Sequence, residues 1–99
     1  MYILMTYDVE SRRTRYFHKV LSRYLIHEQN SVFGGDLTDA SILRLHRELS
    51  RITDENDRIF QVIAPNRHNV SVSLLRKSAG NNTLEVISHN HHSEDAIIL

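Results

Sequence analysis

The chain has 99 residues, of which 40% are hydrophobic and 24% are charged, and it contains no cysteine. This length and composition predict one folded domain with its own hydrophobic core, and they exclude a largely disordered chain. The absence of cysteine excludes a disulfide, a zinc–thiolate site and a thiol nucleophile, and it favours a cytoplasmic location. Since the chain opens directly on a predicted strand, we expect neither a signal peptide nor a membrane-spanning segment.

The formal net charge is zero, with twelve basic and twelve acidic residues, but the charges are unevenly distributed. Five basic residues lie between Ser11 and His27 with no acidic residue among them: Arg12, Arg13, Arg15, Lys19 and Arg23. Acidic residues concentrate elsewhere, in the loop TDENDR and in the tail. Because an anion responds to the local field, a protein of zero net charge can still present a basic surface.

The first predicted element is a strand over residues 2–8, YILMTYD. Alternation assigns its side chains to two largely apolar faces, Ile3, Met5 and Tyr7 on one and Leu4, Thr6 and Asp8 on the other. The strand therefore ends on a carboxylate, Asp8, for which the neighbouring sequence offers no obvious partner.

The next element is a helix, predicted from an N-cap at Ser11 to about Leu25. Apolar residues at helical spacing define its buried stripe: Tyr16, Phe17, Val20, Leu21, Tyr24 and Leu25. The opposite side carries Arg12, Arg15, Lys19 and Arg23. Arg13 lies in the first turn on the core-facing side, from which it could reach back towards Asp8.

The segment HEQNSVFGGDLT predicts a strand centred on Ser31, Val32 and Phe33, which Gly34 and Gly35 end. A second helix is predicted to begin at Thr38 or Asp39. Its buried stripe is Ile42, Leu45, Leu49 and Ile52, and its outer face carries Arg44, Arg47 and Arg51. The loop TDENDR that follows is expected to be acidic and solvated.

Three further strands are predicted: RIFQVIAP, which Pro65 ends, then VSVSLLRK and TLEVIS, joined by the turn SAGNN. A polar tail, HNHHSED, leads to an apolar end, AIIL. Its histidines (His89, His91 and His92) suit a solvated segment better than a metal site, because no cysteine or rigid partner accompanies them. The apolar end could add to a sheet edge of another protomer or of a larger partner. We therefore divide the chain into a domain at 1–88 and a tail at 89–99.

These elements predict an α+β fold of the ferredoxin-like type, a βαββαβ sandwich with an additional C-terminal strand. Its two helices cover one face of an antiparallel sheet. The other face carries Leu4 and alternate residues of RIFQVIAP, and exposed apolar patches of this kind mark interfaces. We therefore expect a homodimer in which two sheets pack face to face.

Three motifs resemble a known family, the small CRISPR-associated endoribonuclease that partners the large integrase subunit during spacer acquisition. They are YDV at the end of the first strand, Arg13-x-Arg15 at the start of the first helix, and Gln29-x-Ser31-Val32-Phe33 followed by Gly35-Asp36-Leu37. Their order and spacing hold without gaps from Arg13 to about Ile52. Two positions depart from the family's pattern: Leu25 replaces a glycine that usually ends the first helix, and His27 replaces a basic residue that usually begins the second strand.

The resemblance implies a metal-dependent nuclease, with Asp8 as catalytic residue and metal ligand. Where a two-fold axis brings two copies of Asp8 together, the carboxylates repel each other unless a cation lies between them. Mg²⁺ or Mn²⁺, which prefer oxygen ligands, would suit such a site shared between two subunits. The alternative interpretation is an acid that caps a turn or the first helix, as strand-end aspartates often do.

The resemblance also suggests that Arg13 and Arg15 hold substrate phosphate near the metal, although both would also fit a solvated helix start. Ser31 suits a hydrogen-bonding role near the metal better than that of a nucleophile, because no His–Asp relay accompanies it. A wider nucleic-acid-binding surface is expected from Arg12, Arg13, Arg15, Lys19, Arg23 and His27. Such a surface would hold a nucleic acid by its backbone without reading its sequence.

Hypotheses from different functional classes remain open. The first is a CRISPR adaptation nuclease that cleaves RNA or DNA with Mg²⁺ or Mn²⁺. The second is a non-catalytic bridge that grips duplex DNA between integrase subunits, and the third is a toxin-like ribonuclease of the same fold. The expected partners are a second copy of the chain, a nucleic acid (duplex DNA or single-stranded RNA) and the large integrase subunit, with no membrane.

Overall fold

The computed structural model describes residues 1–77, 79–80 and 83–88. Residues 87 and 88 are described by their backbone only. The chain forms two compact units, one from Met1 to Asn66 and a second that begins at Arg67. None of the helices in the described part of the chain has the length and apolar character of a membrane span.

The first unit contains four strands and two helices: β1 (Tyr2–Asp8), α1 (Thr14–Ser22), β2 (Ile26–Gln29), β3 (Val32–Asp36), α2 (Asp39–Ile52) and β4 (Arg58–Ala64). The strands form one antiparallel sheet in the order β2-β3-β1-β4. This βαββαβ arrangement confirms the predicted ferredoxin-like α+β fold.

The core forms between the two helices and one face of the sheet. From β1 the alternate residues Ile3, Met5 and Tyr7 are buried there, as period-two alternation predicts. They belong to one cluster with side chains of α1, β3 and α2, namely Phe17, Val20, Leu21, Phe33, Ile42, Leu45 and Leu49. The predicted stripe of α2 is therefore confirmed, and its N-cap is Thr38, whose side chain accepts a hydrogen bond from the Ser41 N–H.

The other face of the first unit's sheet is apolar, and it exposes side chains of β4. In the β1–β4 register Leu4 lies opposite Val62 and Thr6 lies opposite Phe60, and directly opposed residues share a face. Phe60 is 66% exposed and Val62 is 39% exposed. We call this surface the open face; Asp8 lies on it by the same alternation, at its end.

The helix α1 is shorter than predicted and begins differently. Residues Ser11–Arg13 form a 3₁₀ turn, so Ser11 is not the N-cap of the helix, and α1 ends at Ser22 rather than near Leu25. Leu25 is nevertheless buried, and its N–H donates to the Leu21 carbonyl. Tyr16, which was predicted in the buried stripe, is 45% exposed.

The single strand predicted around Ser31 is a hairpin of β2 and β3, with Ser31 in the turn between them. Gly34 and Gly35 do not end the strand, since β3 continues through both to Asp36. A Cβ atom on Gly34 would lie 2.7 Å from the Tyr2 hydroxyl oxygen, because the Tyr2 side chain crosses that position. Glycine is needed there for close packing rather than for a turn.

The second unit contains a two-stranded antiparallel sheet of β5 (Leu74–Arg76) and β6 (Glu85–Ser88). Both predicted strands are present, although β5 is shorter than VSVSLLRK. Of the predicted turn, Ala79 and Gly80 form a turn in which Gly80 has φ of +80°. The tail at 89–99, with its histidines and the AIIL end, lies outside the described residues, so its predicted role stays a prediction.

Substitution of two leucines of α2, one buried and one exposed, tests the position of the core. Leu45 is fully buried, whereas Leu43 is 54% exposed. We expect Leu45→Ala to lower the free energy of unfolding by about 2–5 kcal/mol through lost burial and a residual cavity. Leu43→Ala should change it by about 0.5 kcal/mol or less. Urea unfolding monitored by circular dichroism measures both, and equal losses in the two variants would contradict the assignment.

Candidate active site

Asp8 is the last residue of β1, and its side chain is exposed. Within the described part of the chain, its carboxylate takes part in none of the hydrogen bonds or ion pairs. Arg58 is its register partner on β4, but the Arg58 guanidinium donates to the backbone carbonyls of Glu55 and Asp57 instead. The acid therefore stands at the end of the open face without a protein donor among these residues.

A cavity of about 500 Å³ lies beside Asp8, at the junction of β1 with the loop between α2 and β4. Its lining is rich in carboxylates: Asp8, Val9, Glu10, Arg13, Asp54, Asn56 and Asp57. No group of three or more His, Asp or Glu side chains in the described residues is arranged to hold a metal ion. One chain therefore supplies oxygen ligands at this point but does not form a complete metal site in the part described.

Arg13 lines the same cavity as Asp8 but is bonded elsewhere. Its Nη1 atom donates to both carboxylate oxygens of Asp57 at 2.6 Å, and its Nη2 atom donates to the Ile52 carbonyl. Nη2 also lies 3.5 Å from an Asp54 carboxylate oxygen. These contacts join the start of α1 to the loop after α2. The predicted reach of Arg13 towards the end of β1 is confirmed only as far as the shared cavity, and its phosphate contact stays a prediction.

Asp57 is the residue of this site that the sequence interpretation missed. The loop TDENDR was expected to be solvated, yet the Asp57 side chain is only 5% exposed. The hydrogen bonds from Arg13 and then from the Asp54 backbone N–H hold the pKa of Asp57 below its ordinary value of 3.8. One feature of the sequence indicated this pairing. A cation on the core-facing side of a helix needs an acidic partner that is also buried, and this loop contains three acidic residues.

Arg15 and Ser31 line a second cavity, of about 420 Å³, together with Tyr7, Thr14, His18 and Asn30. The Ser31 hydroxyl is hydrogen bonded to that of Thr6 at 2.9 Å. Arg15 Nη2 donates to the Tyr16 hydroxyl at 3.0 Å. The structure thus divides the four predicted catalytic residues into two pairs, Asp8 with Arg13 and Arg15 with Ser31, each pair at its own cavity.

The remaining predicted nucleic-acid residues are exposed and lie on or near α1. Arg12 is 3.5 Å from the Glu10 carboxylate, and both side chains are largely solvated. Arg23 is ion-paired with Glu48 of α2, which also accepts a hydrogen bond from Tyr24. Lys19 is exposed. Exposed ion pairs contribute little stability, so these cations lose little by contacting phosphate instead.

His27 lies on β2, where its ring contacts two other rings. The ring centroids of His18 and Phe33 are each 4.8 Å from that of His27, and His27 Nε2 is 2.6 Å from the Asn30 carbonyl oxygen. An Nε2 proton is needed for that hydrogen bond. His27, which was predicted to belong to the nucleic-acid-binding surface, is therefore part of a cluster of His18, His27 and Phe33 rings at the edge of the sheet.

The Arg13–Asp57 pair predicts a specific acid dependence of stability. A carboxylate whose pKa is lowered in the folded state stabilises the fold above about pH 4 and loses that contribution as the pH falls through the lowered pKa. We expect Asp57→Asn to be less stable than the natural sequence at neutral pH, with the difference shrinking below about pH 4. Urea midpoints measured across this range provide the test. Glu55→Gln, in the same loop but exposed, is the control, and a difference for Asp57→Asn that stays constant with pH would rule out this role.

Several known proteins are similar to this chain. A model of the family described as CRISPR associated protein Cas2 matches residues 1–70. The chain is 33% identical over 75 residues to the CRISPR-associated endoribonuclease Cas2 3 of Thermodesulfovibrio yellowstonii, an alignment that covers 75% of this chain and 85% of that protein. It is 39% identical over 57 residues to the CRISPR-associated endoribonuclease Cas2 of Thermotoga maritima, covering 58% of this chain and 66% of that protein.

Solved structures agree with this family match. A crystal structure of Cas2 superimposes with a TM-score of 0.65 at 33% identity and covers 99% of this chain and 98% of its own. The crystal structure of Streptococcus pyogenes Cas2 at pH 6.5 gives a TM-score of 0.61 at 31% identity, over 73% of this chain and 98% of that one. The chain belongs to the CRISPR-associated protein Cas2 family.

Proposed function

We propose that this protein is a homodimeric, Mg²⁺-dependent endoribonuclease of the CRISPR adaptation machinery, whose active site contains Asp8 from each of two subunits. Endonuclease activity is in keeping with the family, whose relatives above are named CRISPR-associated endoribonucleases. The observation that carries the proposal is the position of Asp8, an exposed carboxylate at the end of an exposed apolar sheet face.

The open face supports the dimer. Phe60 and Val62 on β4, with Ile26 on β2, expose apolar surface on the side of the sheet away from the helices. Water contact at such a patch is unfavourable, and a second copy of the same patch removes it with two-fold symmetry. Because Asp8 shares this face by alternation, the packing of two open faces is also the arrangement that brings the two carboxylates towards each other.

The donor set at Asp8 fits a hard divalent cation. Carboxylate oxygen is the ligand that Mg²⁺ and Mn²⁺ prefer, and Mg²⁺ commonly takes only one or two carboxylates and completes its shell with water and substrate phosphate. Glu10 and Asp54 line the same cavity and add negative potential to it. When bound, the cation supplies charge neutralisation at the phosphodiester and a lowered pKa for water.

The basic residues would bind and orient the substrate. Arg15 and Ser31 line one cavity. Exposed positive charge nearby comes from Arg12 in the 3₁₀ turn before α1 and from Lys19 on α1. In this proposal the guanidinium of Arg15 and the Ser31 hydroxyl contact substrate phosphate, Arg23 extends the surface, and His27 lies at its margin. Arg13, which is bonded to Asp57, acts chiefly as a positioning residue that holds the loop beside Asp8.

A second candidate function is the non-catalytic bridge between integrase subunits. The second unit exposes Leu75, Leu84 and Val86 on and beside its two strands, and exposed apolar side chains of this kind suit contact with a larger protein partner. Such a role can coexist with hydrolysis. The cytoplasmic location stays a prediction in both cases.

Removal of the Asp8 carboxylate tests the catalytic proposal. We expect Asp8→Ala and Asp8→Asn to lower Mg²⁺-dependent RNA cleavage by at least about 100-fold, the scale seen when a group that stabilises transition-state charge is removed. Folding should be unaffected because the side chain is exposed. Cleavage of an end-labelled RNA with Mg²⁺ and with a chelator measures the effect.

Asp36→Ala provides the matched control, since Asp36 is also an exposed strand-end acid on the open face but lies at its other end, opposite Tyr2. Its cleavage rate should stay within a few-fold of the natural sequence. Undiminished cleavage by Asp8→Ala would remove the proposed site. Lost cleavage with retained spacer integration would assign the biological role to the bridge.

A further inference from the structure

The imidazole rings of His18 and His27 lie against each other at the edge of the first unit's sheet. His18 is on α1 and His27 is on β2, and their ring centroids are 4.8 Å apart with the ring planes at 74°. Both rings also contact the fully buried ring of Phe33, at 5.3 Å from His18 and 4.8 Å from His27 between centroids. Phe33 therefore supports the two rings from the core side, while both histidine side chains are exposed.

The hydrogen bond of His27 determines which of its nitrogens can bind a metal ion. Its Nε2 atom lies 2.6 Å from the Asn30 carbonyl oxygen, which can only accept, so Nε2 carries the proton. In the neutral ring the lone pair is then on Nδ1, which makes no hydrogen bond within the described part of the chain. A histidine that donates one N–H to a backbone carbonyl and keeps its other nitrogen free has the arrangement typical of a metal ligand.

His18 supplies a second nitrogen. Its Nδ1 atom lies 3.3 Å from the Ser22 hydroxyl oxygen, one turn further along α1. A hydroxyl can accept a hydrogen bond from Nδ1, and the lone pair of the neutral ring is then on Nε2. Among the residues that the structure describes, Nε2 makes no hydrogen bond. Each of the two rings therefore has one nitrogen held by the protein and one available to a ligand.

The separation of the rings fits a shared ion. Zn²⁺ binds imidazole nitrogen at about 2.0–2.1 Å in tetrahedral geometry, and a ring centroid lies about 1.1 Å beyond its nitrogen, so two rings on one ion have centroids about 5 Å apart. The observed distance of 4.8 Å agrees with this value. Edge-to-face packing of two rings covers the same range of distances, so the inference depends on the two available nitrogens together with the spacing.

We propose that His18 and His27 bind a divalent transition-metal ion of the Zn²⁺ class, through Nε2 of His18 and Nδ1 of His27. Imidazole suits Zn²⁺, Ni²⁺ and Cu²⁺, whereas Mg²⁺ and Mn²⁺ prefer oxygen ligands such as Asp8. Two protein ligands leave coordination positions for water or for an anion. Since His18 and Arg15 line the same cavity, the bound ion adds positive charge beside that cavity. The site is separate from Asp8 and does not depend on the proposed nuclease function.

Zinc chloride, titrated into the protein without other divalent cations, tests the site. The readout is the set of imidazole ¹⁵N resonances, because it distinguishes individual rings and the two nitrogens of each ring. We expect the His18 Nε2 and His27 Nδ1 resonances to shift together and to saturate at one ion per chain. The Nε2 proton of His27 should remain, because the Asn30 carbonyl still accepts it. His46, which is hydrogen bonded to Gln61 instead, should not respond.

Substitution of either histidine measures its contribution to zinc affinity. His18→Gln and His27→Gln each remove one of two protein ligands and should each lower the affinity by at least about tenfold, measured by competition with a fluorescent zinc chelator. His46→Gln is the matched control and should keep the reference affinity. The histidines of the tail could bind zinc themselves, so glutamine replaces them in the reference protein and in every variant of this series: His89, His91 and His92.

Three results would overturn the proposal. They are a zinc-induced shift of one ring of the pair without the other, loss of the His27 Nε2 proton on zinc binding, and zinc affinity that both substitutions leave unchanged. Asp8→Ala separates this site from the proposed active site. It should abolish Mg²⁺-dependent RNA cleavage and leave the zinc affinity as it was, whereas loss of zinc binding in Asp8→Ala would contradict a separate site. Zinc binding by the pair in a protein that cleaves no RNA would remove the nuclease proposal and leave this one standing.

Discussion

The side chains of β1 alternate between two different environments, and this alternation determines where Asp8 lies. Ile3, Met5 and Tyr7 face the helices and are buried, so the residues between them must face the other way. The fold has no third layer in the first unit's described elements to cover that second face. A shift of one residue in register would exchange the two sets of side chains, so the buried residues determine that Asp8 lies at the end of the open face.

The Arg13–Asp57 pair joins the start of α1 to the loop after α2 and lines the cavity beside the end of this strand. The Arg13 guanidinium donates to the Ile52 carbonyl at the end of α2. It also lies over the Phe17 ring of the core, with the guanidinium carbon 5.7 Å from the ring centroid. An ion pair with so little exposure avoids destabilising the fold only when its hydrogen bonds are satisfied. Here both carboxylate oxygens of Asp57 and the Ile52 carbonyl accept hydrogen bonds from Arg13. The pair thus fixes the wall of the cavity beside Asp8. In the proposed function it is the more exposed Arg15 that contacts substrate.

The sequence predicted those features that depend on local periodicity. The strand β1, the stripe of α2, the start of that helix at Thr38 or Asp39 and the end of β4 before Pro65 all follow from spacing or from residues that act on their immediate neighbours. The family resemblance, which was based on consecutive motifs, was confirmed for the same reason.

The features that were predicted wrongly depend on contacts between distant residues. Gly34 was predicted to end a strand, but it lies within β3 because the Tyr2 side chain crosses it. Asp57 was predicted to be solvated, but it is buried against Arg13, which is 44 positions away in the sequence. Tyr16 has a large aromatic side chain of the kind found in cores, but it lies just beyond the edge of the helix's buried face. No local pattern distinguishes these cases, because packing between elements decides each of them.

The stoichiometry of Mn²⁺ binding tests most directly whether the open face builds a shared site. Electron paramagnetic resonance of Mn²⁺ titrated with the protein measures how many ions bind per chain. We expect one ion for every two chains. Binding should be lost in Asp8→Ala and also in Val62→Lys, which leaves Asp8 intact but places a charge on the open face. One ion per chain, or binding that survives Val62→Lys unchanged, would contradict it.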